Sequence, residues 1–185
     1  MRKIYLIFLF IIFVNFKLMA MENKILIKLE YGIVEIELFS DVAPEHVERI
    51  LTLSKNKEYD GVVFHRVIDG FMAQTGDVEF GNSNKETFSL DRAGTGSSSL
   101  PDLKSEFNNI PHERGTVSMA RSSNPNSGNS QFFICLEAAP HLDRQYTVFG
   151  KVIKGMEFVD QIKKGDGPNG SVSNPDKILN ITIKK

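Results

Sequence analysis

The chain has 185 residues, 41% of them hydrophobic and 24% charged, a composition that supports one globular domain with a sizeable core. Lysine and arginine number 22 against 23 acidic residues, so there is no basic excess for electrostatic binding of nucleic acid. The single cysteine, Cys135, excludes an intramolecular disulfide, and its setting in the apolar run QFFICL predicts a buried, inert thiol.

In chain order, residues 1–20 come first and differ from the rest. Arg2 and Lys3 precede an unbroken apolar run over 4–14, a polar break at Asn15 and a small residue, Ala20, after LMA. This is the pattern of a secretory signal, and the run is shorter than the roughly 20 residues that span a bilayer. The reading is a signal peptide over 1–20 and one domain over 21–185, exported to the periplasm or secreted. Two alternatives stay open: an uncleaved anchor in the inner membrane, because Leu18 is large for its place, and a cytoplasmic form started at Met21. No cysteine near residue 20 offers a site for lipid anchoring.

From Ile25 to Leu38 apolar and polar residues alternate on both sides of Tyr31-Gly32, which predicts a hairpin with one buried face. Next, DVAPEHVERILTLSKN carries Pro44 near its start and Val47, Ile50 and Leu51 at helical spacing, a helix with one apolar stripe. Short strands are predicted over 62–67, 71–74, 116–120, 132–136 and 147–152, a second helix in GMEFVDQIKKGDG, and a closing strand in ILNITIKK. Two helices among many short strands predict a mainly β fold, a closed antiparallel barrel capped by the helices, since closure removes exposed edges. The Gly- and Ser-rich segments 81–102 and 121–130 are loops of a length that is often functional.

One stretch stands out. FHRVIDGFMAQTGD, 64–77, sets Arg66 among apolar residues with Gln74 close behind, although a guanidinium is costly to strip of water. Taken alone, Arg66 reads as a surface residue of an ordinary strand, and Phe71, Met72 and Phe133 read as core. His46, His65, His112 and His141 show no paired ligand spacing, so no metal is expected, and His65 is expected on the face of its strand opposite Arg66. The serine-rich loops lack a G-x-S-x-G context for a hydrolase, and GTGSSS has no following lysine for phosphate.

Taken together, FHRVIDGFMAQTGD, GTG at 94–96, SEFN at 105–108, GTVSMAR at 115–121, SQFFIC at 130–135 and HLDRQYTVFGKV at 141–152 resemble the cyclophilin-type peptidyl-prolyl isomerases, in the family's order from about residue 25 to the C-terminus. With the leading signal, the resemblance is to an exported bacterial member. It implies a closed eight-stranded antiparallel β-barrel with two helices at its ends, an outer substrate groove, no cofactor, X-Pro polypeptides as substrate and a monomer. It also implies that Arg66 donates to the twisting amide, that Gln74 holds substrate and guanidinium, and that Phe71 belongs to the catalytic set. Phe71, Met72, Phe133 and Leu142 would form the proline pocket, Ala120 and Arg121 a peptide-binding edge, Gln131 the floor and Tyr146 the rim. His141, a wall of the pocket, stands where many relatives carry tryptophan or phenylalanine, so that wall is smaller and more polar, which implies weak binding of cyclosporin-type ligands; Arg121 replaces a common asparagine, which favours acidic flanks in the peptide. A rival of another class is a proline-peptide binding module or chaperone with little turnover. The arginine argues for activity, since binding alone does not need it.

Overall fold

The computed structural model describes residues 24–184. The expected signal over 1–20 lies outside the described residues. β1 (Lys24–Lys28) and β2 (Ile33–Leu38) form the hairpin, with Ile25 opposite Ile36 and Ile27 opposite Val34. The alternating pattern sends Ile25, Ile27, Val34, Ile36 and Leu38 inward, and all are buried. α1 (Pro44–Lys55) begins on its proline and buries Val47, Ile50, Leu51 and Leu53. Its N-cap, Ala43, has no capping side chain. Glu106 from a distant loop serves instead, accepting the backbone N–H groups of Glu45 (3.2 Å) and His46 (3.1 Å).

β3 (Arg66–Ile68), β4 (Met72–Thr75), β5 (Thr116–Met119), β6 (Phe132–Cys135), β7 (Val148–Lys154) and β8 (Asn180–Lys184) complete one antiparallel sheet in the order β3-β4-β6-β5-β7-β2-β1-β8. The strands match the predicted ones to within a few residues, except that 62–65 is not a strand; only Val62 and Val63 make isolated bridges there. α2 spans only Met156–Asp160, shorter than its apolar pattern indicates. It follows Gly155, whose φ of 87° few other residues adopt without strain.

The expected closed barrel is corrected to an open, curled one. β3 and β8, the two ends of the sheet, do not pair with each other. The chain just before β8 runs along the 62–66 segment instead, with bridges from Val63 to Lys177 and from Arg66 to Ser171. It crosses the gap by Ile178 N–H to Val62 O (2.8 Å) and Phe64 N–H to Asp176 O (2.8 Å). Pro175, which has no N–H, interrupts any regular ladder there.

Inside the curl, Tyr59, Phe132 and Phe149 meet edge to face at 5.7 and 6.1 Å in the main core. A second, smaller cluster of Met72, Phe133, Cys135, Ala139 and Leu142 forms on the other face of β4 and β6. The period of two explains the split: in β6, Phe132 and Ile134 join the main core, and Phe133 and Cys135 the outer cluster.

Candidate active site

Strand register builds the site. Arg66 on β3 pairs with Gln74 on β4, Gln74 with Phe133 on β6, and Phe133 with Ser118 on β5. One lateral row therefore carries a guanidinium, an amide and an aromatic ring side by side on the outer face. Met72, two residues from Gln74, is on the same face, and the loop after the 3-10 turn Pro140–Leu142 carries Tyr146 towards Phe133.

These residues line a hollow of about 200 Å3: Arg66, Phe71, Met72, Gln74, Ala120, Arg121, Phe133, Leu142 and Tyr146. Of the residues expected from the sequence, two lie elsewhere. Gln131 lines the adjoining hollow of about 430 Å3, together with Gln74, Gly94, Gly96, Ala120, Arg121 and Asn129. His141 is exposed, its ring tilted against Phe71 at 5.4 Å between centroids, outside the pocket it was expected to wall. The turn that buries Leu142 carries His141 outward, so a large ring in its place would extend the rim past Phe71.

Arg66 is half-buried and, among the described residues, has no carboxylate partner. Its Nε donates to Asn169 O (2.9 Å) and its Nη1 to Gln74 Oε1 (3.3 Å), with Met72 Sδ at 3.8 Å. Burial lowers the proton affinity of the guanidinium below its ordinary value, but arginine stays cationic in proteins. The result is a fixed, uncompensated cation beside an apolar hollow. Gln74 relays the tether: its Nε2 donates to Gln131 Oε1 (3.0 Å), and Gln131 Nε2 donates to Gly94 O (3.0 Å) and Gly96 O (2.8 Å). Two backbone carbonyls thus orient the Gln131 amide, which in turn orients that of Gln74.

Arg121 is a second cation at the rim. It lies 4.5 Å over the Tyr146 ring, and its Nε and Nη1 donate to Gln145 O and Ser122 O. Ala120 N–H donates to Gln131 O (2.9 Å), so that donor is already used within the protein.

Further supporting residues surround the site, in places that the sequence does not mark. Asp77, fully buried, gathers the 94–96 loop by accepting Gly94 N–H (2.7 Å) and Gly96 N–H (2.9 Å). A side chain at Gly96 would meet Asp77 Oδ1 at 2.4 Å, so the close approach requires glycine. The carboxylate next to a glycine in QTGD, followed by a second glycine-rich piece, was the available signal. Asn169, which holds Arg66 through its carbonyl, has a left-handed φ of 56°; the PNG turn marked the bend but not its partner. His112 lies behind Phe133, its ring stacked at 6.1 Å. His65 is buried against Gly94, with no hydrogen-bond partner at either ring nitrogen among the described residues, and burial pushes its pKa down to about 4. Among the described residues, no His, Cys, Asp and Glu cluster forms a metal site.

The family model described as cyclophilin type peptidyl-prolyl cis-trans isomerase/CLD matches residues 24–183. A probable peptidyl-prolyl cis-trans isomerase of Brucella suis is 57% identical over 164 residues, which cover 88% of this chain and 83% of the relative. A peptidyl-prolyl cis-trans isomerase-like 3 of Gallus gallus is 42% identical, covering 73% of this chain and 78% of the relative. Among solved structures, a cyclophilin-type isomerase of Cryptosporidium parvum, determined in the presence of the dipeptide Ala-Pro, superposes with a TM-score of 0.74 at 29% identity, covering 88% of this chain and 99% of that one. The cyclophilin AquaCyp293 of Hirschia baltica superposes with a TM-score of 0.72 at 25% identity, over 88% of this chain and 74% of that one.

Proposed function

The chain belongs to the cyclophilin-type peptidyl-prolyl cis-trans isomerases, enzymes that accelerate rotation about X-Pro peptide bonds, and on that premise we propose that the row Arg66, Gln74 and Phe133 is its catalytic wall. Rotation must overcome ~18 to 20 kcal/mol, because resonance gives the C–N bond double-bond character. No bond is made or broken, so catalysis needs only tighter binding of the twisted amide than of either planar form. Twisting frees the lone pair on the prolyl nitrogen. A rigid cationic donor can meet it as it appears.

In this reading the proline ring sits among Phe71, Met72, Phe133 and Leu142, where water is excluded and a charge-assisted hydrogen bond is stronger than in bulk. Arg66 then points its remaining N–H groups at the amide, and Gln74, held by Gln131, keeps both substrate and guanidinium in place. With the Ala120 N–H taken by Gln131, an extended peptide would use the backbone at Arg121. The observation that carries the proposal is the shared register of Arg66, Gln74 and Phe133 beside a hollow, with no carboxylate on Arg66 among the described residues. A chymotrypsin-coupled assay on a short X-Pro peptide tests it. Acceleration by the wild type that disappears in Arg66→Ala supports the wall; an Arg66→Ala protein as active as wild type overturns it, and a wild type that binds the peptide without acceleration would mark a binding module.

We also propose that the protein is an exported bacterial isomerase that assists folding in the periplasm as a monomer and binds cyclosporin weakly. The support is the basic start, apolar run and Ala20 within 1–20, the 57% identity to a Brucella isomerase, and the small exposed His141 at the rim. No helix among the described residues is long and apolar enough to cross a membrane. Cell fractionation with N-terminal sequencing of the protein from its own cell decides: a periplasmic form starting near Met21 is expected, and recovery from cytosol overturns export.

A further inference from the structure

His112 is a buried histidine that does not line the proline pocket, yet every polar atom of its ring is engaged. Nδ1 lies 2.9 Å from Asp143 Oδ1 and Nε2 lies 3.1 Å from Ser118 Oγ, which in turn donates to Thr147 O (2.9 Å). The ring is stacked on Phe133 (centroids 6.1 Å, planes 17° apart) and meets the edge of Tyr146 at 6.5 Å. Its backbone joins the same clamp: His112 N–H donates to Asp143 Oδ1 (2.8 Å), and Ala139 N–H donates to His112 O (2.7 Å). One residue therefore ties together β5, the Phe133 ring and the turn that presents Leu142.

The hydrogen bonds have a consequence for the proton. A carboxylate only accepts, so Nδ1 carries a hydrogen. The Ser118 hydroxyl has a single hydrogen, and Thr147 O takes it, so Nε2 faces a lone pair and is satisfied only when it is protonated too. The neutral ring satisfies Nε2 only if the hydroxyl turns from Thr147 to the imidazole. Asp143 favours the charged ring; burial opposes it most strongly, and His141 on the same turn opposes it as well. The other titratable ring facing it is Tyr146, and Cys135 on β6 is influenced by the same Asp143. Ser118 stands opposite Phe133 in the ladder, so the hydroxyl that switches is next to the ring that walls the pocket.

We propose that His112 is a positioning residue for the isomerisation: held between Asp143 and Ser118, it fixes the plane of Phe133, and its protonation resets that hold. The proposal rests on the pocket assignment, which Arg66→Ala tests separately by removing exchange at every pH, whereas His112→Phe leaves a measurable rate. The experiment is NMR exchange spectroscopy on an X-Pro peptide without ionisable side chains, from pH 5 to 8, for wild type, His112→Phe, Asp143→Asn and, as a control, His141→Phe. Wild type and His141→Phe are expected to show an inflection in kcat below neutral pH. His112→Phe and Asp143→Asn should flatten it, with kcat lowered about fivefold and KM nearly unchanged, since a slightly misplaced wall penalises the twisted state most. The ring 15N resonances of His112 in wild type supply a readout that needs no variant: they should titrate with the same midpoint as kcat and shift when the peptide binds. A wild-type profile without an inflection, an inflection that survives in His112→Phe, or ring resonances that ignore the peptide overturns the proposal.

Discussion

Gln74 accepts a hydrogen bond from Arg66 Nη1 at 3.3 Å and donates one to Gln131 Oε1 at 3.0 Å, so the guanidinium is aimed by an amide that is itself aimed. With Asn169 O holding Nε at 2.9 Å and Met72 Sδ lying 3.8 Å from Nη1, the plane of the group is held.

Lysine cannot replace that hold. Its ammonium is a point charge on a flexible stem, and it cannot meet Asn169 O and Gln74 Oε1 in one plane while donating to substrate. Arg66→Lys is therefore expected to lose activity by about a hundredfold, the scale of removing one fixed donor from a site where charge develops. The coupled peptide assay measures it, and far-UV circular dichroism should show an unchanged fold.

Removal of either glutamine loosens the same relay. Gln74→Ala and Gln131→Ala should each lower kcat/KM by about tenfold, and the double variant by much less than the product, because the second deletion finds the relay already broken. Independent, additive losses in the double-mutant cycle would show that the two amides act separately.

The rim at His141 gives a ligand prediction. The imidazole is exposed beside Phe71, and a tryptophan there adds apolar area and an indole N–H at the edge of the hollow. His141→Trp should tighten cyclosporin binding by about tenfold, equivalent to ~1.4 kcal/mol, as read by calorimetry. Catalysis of small X-Pro peptides should change little, since His141 lies outside the pocket.

His65 gives a pH dependence with a definite sign. Burial pushes its pKa down to about 4 from an ordinary 6.5, so the unfolded chain takes up the proton first as pH falls. The contribution of neutral His65 to stability is complete above pH 6.5, declines below it and is gone below about pH 4. The size is on the order of 3 kcal/mol, and burial of the ring makes discounting for solvent small. Urea unfolding at pH 7 and pH 4.5 should show His65→Leu losing less stability on acidification than wild type. The unpartnered ring nitrogens mean that leucine leaves no buried polar group behind.

Much of this was legible in the residues. The alternation through Ile25, Ile27, Val34 and Ile36 determined the hairpin, and Pro44 with Val47, Ile50 and Leu51 determined α1, because period two and period 3.6 are local properties of the backbone. The ordered motifs around Arg66, Phe133 and Tyr146 determined the family. What the sequence could not carry were relationships between distant segments. Glu106 caps a helix that begins some sixty positions earlier in the chain, Asn169 holds Arg66 from 103 residues away, and Asp77 gathers a loop seventeen to nineteen residues away. Each depends on register and loop course, which no local pattern encodes. The same holds for the barrel: strand content was predictable, but its opening between β3 and β8 depends on where Pro175 and its neighbours cross the gap. His141 makes the point at the site itself. Its place in the motif marks it as pocket wall, and the turn that buries Leu142 sends it outside, because successive residues of a 3-10 turn point about 120° apart.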